Sequence, residues 1–229
     1  MFIFKKPRTQ LYGGTAEADF PPYNSCNRAG SMICFTWRSM MHNNWDDFMH
    51  ECMQCKKCGL AAGRTNVVIG RGNPKAKLML IGEGPGEQED RQGLPFVGRA
   101  GQLLDLALQA ALFHNDTYYI ANIVKCRPPG NRTPTDVEAE VCLPYLRNQT
   151  ALMNPTIIVC LGAVAMRHII DKNARITRIR GTWVKRGKFW MMPTFHPAAI
   201  LRDESKRIPL FQDLVRVREK MIDEGIWKI

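Results

Sequence analysis

The chain has 229 residues, 45% of them hydrophobic, and a formal net charge of +11 at pH 7. That is enough apolar chain for one sizeable core, and no apolar run approaches the roughly 20 residues that span a bilayer. The basic excess suits a polyanionic partner as well as it suits a solvated surface. Eight cysteines, with no export signal in the opening MFIFKKPRTQ, point to metal binding or buried thiols in a reducing, cytoplasmic setting.

In chain order, residues 1–40 are rich in Gly, Pro, Ser and Asn and lack apolar periodicity. They read as a low-order extension to a folded domain over 41–229, and Met32, Met40 or Met41 could each start a conventional chain. Trp45 to Met53 has the spacing of a short amphipathic helix that delivers Cys55 and Cys58 to the core. Lys77 to Gly82 (KLMLIG) is a buried-strand signal ending in glycine. Gly98 to Leu112 is helical, and Tyr118 to Val124 is a second strand. Pro134 to Met153 is mainly helical, with Thr133 or Thr135 as N-cap and Pro144 as an irregularity. Thr156 to Gly162 is a third strand, followed by a helix from Ala163 to about Asp171. Residues 182–197 read as a hairpin around Gly187 ending in a strand, and a last helix runs from about Pro209 to Glu224. Such alternation predicts an α/β fold with a mainly parallel sheet covered on both faces.

Ligands of open α/β sheets bind at the carboxyl ends of the strands. Three loops leave those ends: Gly82 to Gly98, Lys125 to Pro134 and His196 to Arg202. The first is glycine-rich but has neither the GK[ST] of a Walker site nor a complete GxGxxG. Four cysteines form two distant pairs, Cys55 with Cys58 and Cys126 with Cys142. Thiolates so far apart can meet at one soft metal centre only if the fold gathers them, and their spacing fits zinc or an iron–sulfur cluster equally. Cys52 makes a C-x2-C-x2-C run with the first pair, Cys160 reads as a core residue, and Cys26 and Cys34 as incidental.

The segments CKKCGLAAGRTNVVIGRG, GEGPGEQEDRQGLPFVGRAGQLLD, ANIVKCRPPGNR and HPAAILR together resemble the iron–sulfur uracil-DNA glycosylases called family 4. The resemblance covers about Trp45 to the C-terminus and excludes residues 1–40. It implies a uracil-DNA glycosylase-like three-layer sandwich and a [4Fe–4S] cluster held by Cys55, Cys58, Cys126 and Cys142; since Cys58-Gly59-Leu60 matches the family's second ligand, it leaves Cys52 a free thiol. It also implies a monomeric repair enzyme, nucleoid-associated in a prokaryote, that removes uracil from single- or double-stranded DNA and leaves an abasic site. By the same resemblance, Gly82, Glu83 and Gly84 contact the base through their backbone, Phe96 stacks on it, and Asn122 reads N3 and O4. Glu89 crowds C5 against a thymine methyl, and His196 faces O2. Gly84 stands where better-known relatives carry a water-orienting aspartate, which leaves Glu83 as the candidate for that role. Arg127, Arg132, Leu201 and Arg202 are the expected DNA contacts. An acid-free stretch with Arg175, Arg178, Arg180, Lys185, Arg186 and Lys188 adds to the basic surface.

Three other readings have less support. A non-catalytic binding member would not need Phe96, Asn122 and His196 together. The cross-linking branch of the superfamily carries a basic insertion that NIVKCRPPGNRTPTD lacks. An electron carrier would not need the pocket motifs.

Overall fold

A computed structural model describes residues 42–227; the expectations for residues 1–40, Cys26 and Cys34 lie outside the described residues. Three five-residue strands are buried at every position: β2 (Leu78–Gly82), β3 (Tyr118–Asn122) and β4 (Ile157–Leu161). Burial on both faces is why they read as continuous apolar runs rather than as alternations. β1 (Arg71–Gly72), β5 (Val184–Arg186) and β6 (Phe189–Thr194) complete a six-stranded sheet of order β1-β3-β2-β4-β6-β5. The four inner strands are parallel, and the two short outer strands pair antiparallel.

Successive side chains feed opposite layers, as the strand period of two requires. Met79, Ile81, Ile158 and Cys160 join one core cluster, and Leu78, Leu80, Ile157 and Val159 join the other. The first layer holds α1 (Trp45–Met53), α5 (Asp136–Met153) and α6 (Ala163–Ile169). The second holds α4 (Arg99–Ala110) and α9 (Arg207–Asp223). The result is the three-layer arrangement expected.

Local signals account for some helix ends. Thr135 caps α5 with a reciprocal Thr135–Glu138 box, and the helix runs on through Pro144. Four short α-helices were not anticipated. α3 (Glu87–Gln92) lies inside the segment read as a glycine-rich loop, and α8 (Pro197–Ile200) follows His196 directly. Short α2 (Leu60–Gly63) and α7 (Ile176–Ile179) complete the set of described α-helices.

The topology places a crevice. The β2–β3 crossover passes through α4 on one face, whereas those leaving β3 and β4 pass through α5 and α6 on the other. Strand order therefore reverses around β2, and a crevice opens at its carboxyl end, where Gly82 stands.

Candidate active site and cysteine cavity

Gly82 is the hub of that crevice. A β-carbon there would lie 2.5 Å from Asn122 Oδ1 and 2.6 Å from Phe96 Cζ, so only glycine lets both side chains converge on the strand end. Asn122 ends β3 beside Gly82 in the parallel register. It is 1% exposed, and its Oδ1 is buried without a hydrogen-bond partner. An orphaned buried amide oxygen is costly, and at a crevice it marks a place kept for a ligand.

Phe96 is buried in the left-handed region at φ 56°. A bulky residue seldom adopts that conformation, and the surroundings must hold it there. Part of that support is Gly101, whose missing β-carbon lets the Phe96 peptide cross the first turn of α4. The rest is Glu89. One carboxylate oxygen accepts from Val97 N (3.0 Å) and Gly98 N (2.9 Å), and the other from Gly86 N (3.1 Å). Glu89 thus ties both ends of the loop that carries Phe96.

His196 reaches the same crevice from the end of β6. Its ring centroid is 5.6 Å from that of Phe96, with planes 30° apart. Gly162, at φ 94°, leaves room for it, since a β-carbon there would meet His196 Cβ at 2.8 Å. His196 Nδ1 accepts from Ala198 N at 3.1 Å, which leaves the proton of a neutral ring on Nε2. Burial, aided by the positive charge of Arg202, pushes the imidazole down to about 4, so the neutral form prevails near pH 7. Behind it, buried Asp213 accepts from Thr194 Oγ1 (2.6 Å) and from both Arg180 Nε (3.0 Å) and Nη2 (2.6 Å). Glu83 and Gly84 stand at the mouth, partly accessible, and the Glu83 carbonyl accepts from Val124 N.

Beyond the carboxyl end of β3 lies a second cavity. Cys55, Cys58, Cys126 and Cys142 line it together, as the two separated pairs suggested, and Cys52 joins them. Donors face two of the sulfurs: Arg64 Nη1 lies 3.3 Å from Cys126 Sγ, and Lys125 N lies 3.3 Å from Cys142 Sγ. Burial pushes the Cys142 thiol up to about 11 and raises that of Cys126, with Arg64 pulling the latter back. Among the described residues no group of three His, Cys, Asp or Glu side chains is arranged around a single metal ion.

The expected DNA contacts fare unequally. Leu201 and Arg202 follow α8 and are exposed, Leu201 at 44%. Arg127 donates to Asn131 Oδ1 within its own loop and pairs with Glu87 at 3.7 Å. Arg132 grips Glu138 with both terminal nitrogens, which pulls that carboxyl down to about 2. In the acid-free stretch, Arg180 turns inward to Asp213, and Arg186 donates to the carbonyls of Ile169 and Ile170. Lys185 and Lys188 flank the start of β6, at the opposite end of the sheet from His196.

The sequence reading missed several residues of consequence. Glu89 as a loop clamp was legible as a glutamate three residues after Gly86 at the start of α3, where its carboxylate accepts from Gly86 N in the half of a capping box that a glycine N-cap allows. Arg64, Lys125 and Asp213 act on partners that no local pattern announces.

With this geometry established, comparison with known proteins is decisive. The model of the uracil DNA glycosylase superfamily matches residues 69–218. A type-4 uracil-DNA glycosylase of Thermotoga maritima is 42% identical over 178 residues, covering 75% of this chain and 92% of the relative. The chain belongs to the type-4 uracil-DNA glycosylases. The enzyme of that name from Sulfurisphaera tokodaii is 43% identical over 181 residues, covering 75% and 82% of the two chains. A type-5 uracil-DNA glycosylase of Pyrobaculum aerophilum is more distant, at 30% over 157 residues. Membership of this family agrees with the fold and with a crevice built on one orphaned amide. No helix among the described residues is long and apolar enough to cross a membrane.

Proposed function

We propose that the protein extrudes uracil from DNA into the Gly82–Asn122 crevice and hydrolyses its N-glycosidic bond, releasing free uracil and leaving an abasic site. The observation that carries this reading is the unpartnered, buried Oδ1 of Asn122 beside Phe96 and His196. A base inside a duplex is out of reach, so it must be flipped or already single-stranded. The Asn122 amide matches uracil, with Oδ1 accepting from N3–H and Nδ2 donating to O4. Cytosine reverses that edge and would leave both partners unpaired. The Phe96 ring offers a face for the base to stack on.

Uracil departs with negative charge developing at O2, while the sugar becomes oxocarbenium-like. The neutral His196 ring donates from Nε2 to that oxygen, with the logic of an oxyanion hole. Its Nδ1, held by Ala198 N, fixes which nitrogen carries the proton. Glu83, at the mouth, is the group to orient the attacking water. Glu89 acts by holding the amides of Gly86, Val97 and Gly98, so its influence on C5 passes through the loop it clamps.

Cys55, Cys58, Cys126 and Cys142 would hold the [4Fe–4S] cluster, which when bound would tie the α1–α2 segment to the β3–α5 loop and to α5 itself. The donor set fits: these four thiols line one cavity, with Cys52 as a fifth, and N–H groups face two of the sulfurs. Such a cluster would be held by the four cysteines jointly, a demand that the shared cavity meets without their gathering around one ion. Leu201 and Arg202 stand where the duplex would open, as an apolar wedge and a phosphate contact. The direct test is incubation with a uracil-containing oligonucleotide. Alkali-labile sites and free uracil support the reading; an iron-loaded protein that produces neither contradicts it.

A further inference from the structure

Lys125 is 1% exposed, and its side chain has none of the roles above. Its ammonium nitrogen donates to the backbone carbonyl of Asn122 at 3.0 Å and to Gln149 Oε1 at 2.5 Å. Gln149, fully buried, is itself fixed through Nε2 on Ile69 O (3.0 Å) and Tyr119 Oη (3.3 Å). The Lys125 main chain is held as firmly. Its N–H faces Cys142 Sγ at 3.3 Å, and its carbonyl accepts from Val68 N at 2.8 Å. One residue is therefore clamped by its backbone to the cysteine cavity and by its side chain to the peptide that carries the base-reading amide.

A buried ammonium is an expensive way to fill space, and an apolar side chain of similar volume often serves stability better. What the ammonium supplies here is direction. β3 ends at Asn122; beyond it the N–H groups of Ile123 and Val124 still bond to Gly82 O (3.0 Å) and Glu83 O (3.2 Å), while the carbonyl of Asn122 itself accepts from Lys125. The Asn122 carbonyl is one of the two anchors that Lys125 grips. Asn122 Oδ1 has no hydrogen bond to hold it before the base arrives, so its orientation depends on the peptide behind it.

We propose that Lys125 is a positioning residue for uracil recognition: it fixes the Asn122 peptide against Gln149, so that the reading amide is oriented before the base enters and stays in register with the cysteine cavity. The proposal rests on the reading of Asn122 as the base reader. Misplacement of a recognition group by a fraction of an ångström to an ångström costs up to about a hundredfold in rate.

The experiment is a double-mutant cycle on the iron-loaded full chain, with Lys125→Met, Asn122→Ala and their combination. Readouts are kcat and KM on a uracil-containing oligonucleotide, inhibition by free uracil, iron content and melting temperature. Lys125→Met is expected to retain iron, to lose about tenfold to a hundredfold in kcat/KM, and to be inhibited more weakly by uracil. In the Asn122→Ala background the same substitution is expected to cost nothing further, because Lys125 acts through Asn122. If Lys125→Met does not fold, Gln149→Leu takes its place in the cycle, with the same sign expected and a smaller loss.

Wild-type kinetics for the Lys125 variant, or an equal loss in both backgrounds, would overturn the positioning role while leaving Asn122 as reader. Undiminished activity of Asn122→Ala alone would overturn the parent reading, and this proposal with it.

Discussion

The base crevice and the cysteine cavity meet at the end of one strand, yet they treat their polar atoms in opposite ways. In the cavity, the Cys126 and Cys142 sulfurs already face N–H donors from the protein. In the crevice, a buried amide oxygen is left without a partner, and an aromatic residue is held in a left-handed conformation. A structural site satisfies its groups internally, whereas a reactive site keeps its unsatisfied groups for the substrate. On the proposed reading, the contrast separates a staple from a chemical centre only 4 residues apart in sequence, Asn122 and Cys126.

The substitution expected to do most damage is Gly82→Ala. Its β-carbon would displace the Asn122 amide and the Phe96 ring together, so kcat/KM on uracil DNA should fall by about 10³ or more while iron content stays normal. His196→Ala removes one donor to the developing anion and should lower kcat by about 10²–10³, read in single-turnover assays. Cys126→Ser probes the other side of the contrast. Bound iron and melting temperature should drop first, and the remaining folded protein should keep activity within about tenfold to a hundredfold of the parent. Loss of turnover with an intact, thermally unaltered fold would instead place the cysteines in the chemistry. Leu201→Ala should reduce excision several-fold from duplex and little from single strands, measured side by side.

The smallest effect lies in pH. His196 is held neutral down to about 4, so the acid limb of kcat from this residue should fall near 4 rather than near the usual 6.5. Between those values the unfolded chain takes up a proton that the folded one refuses. Stability from this group should therefore decline as pH drops from about 6.5 towards 4, and His196→Gln should flatten that part of a melting-temperature profile. An unchanged profile would mean that the histidine titrates normally.

Much of this was legible in the sequence, for identifiable reasons. β2, β3 and β4 are short apolar runs closed by turn residues, and sheets buried on both faces write themselves that way. Most crevice residues stand at or just past strand ends, where a motif stays contiguous: Gly82 with Glu83, Asn122, and His196; Phe96 comes from the loop between α3 and α4. What stayed hidden is long-range or masked by composition. Glycine content disguised α3, although Glu89, three residues after Gly86, announced its cap. Arg180 looked like a surface cation because its partner Asp213 lies 33 residues away. Lys125 gave no sign that it would be buried, since its acceptor on Gln149 is 24 residues downstream. Side-chain direction, unlike strand periodicity, is decided by packing that a single sequence does not display.

The most direct measurement compares uracil release by the parent protein and by Asn122→Ala, at equal iron content, from one uracil-containing oligonucleotide under single-turnover conditions. Release by the parent, with a loss of about 10² or more in the variant, is the outcome the orphaned amide predicts. Equal release by both would contradict it.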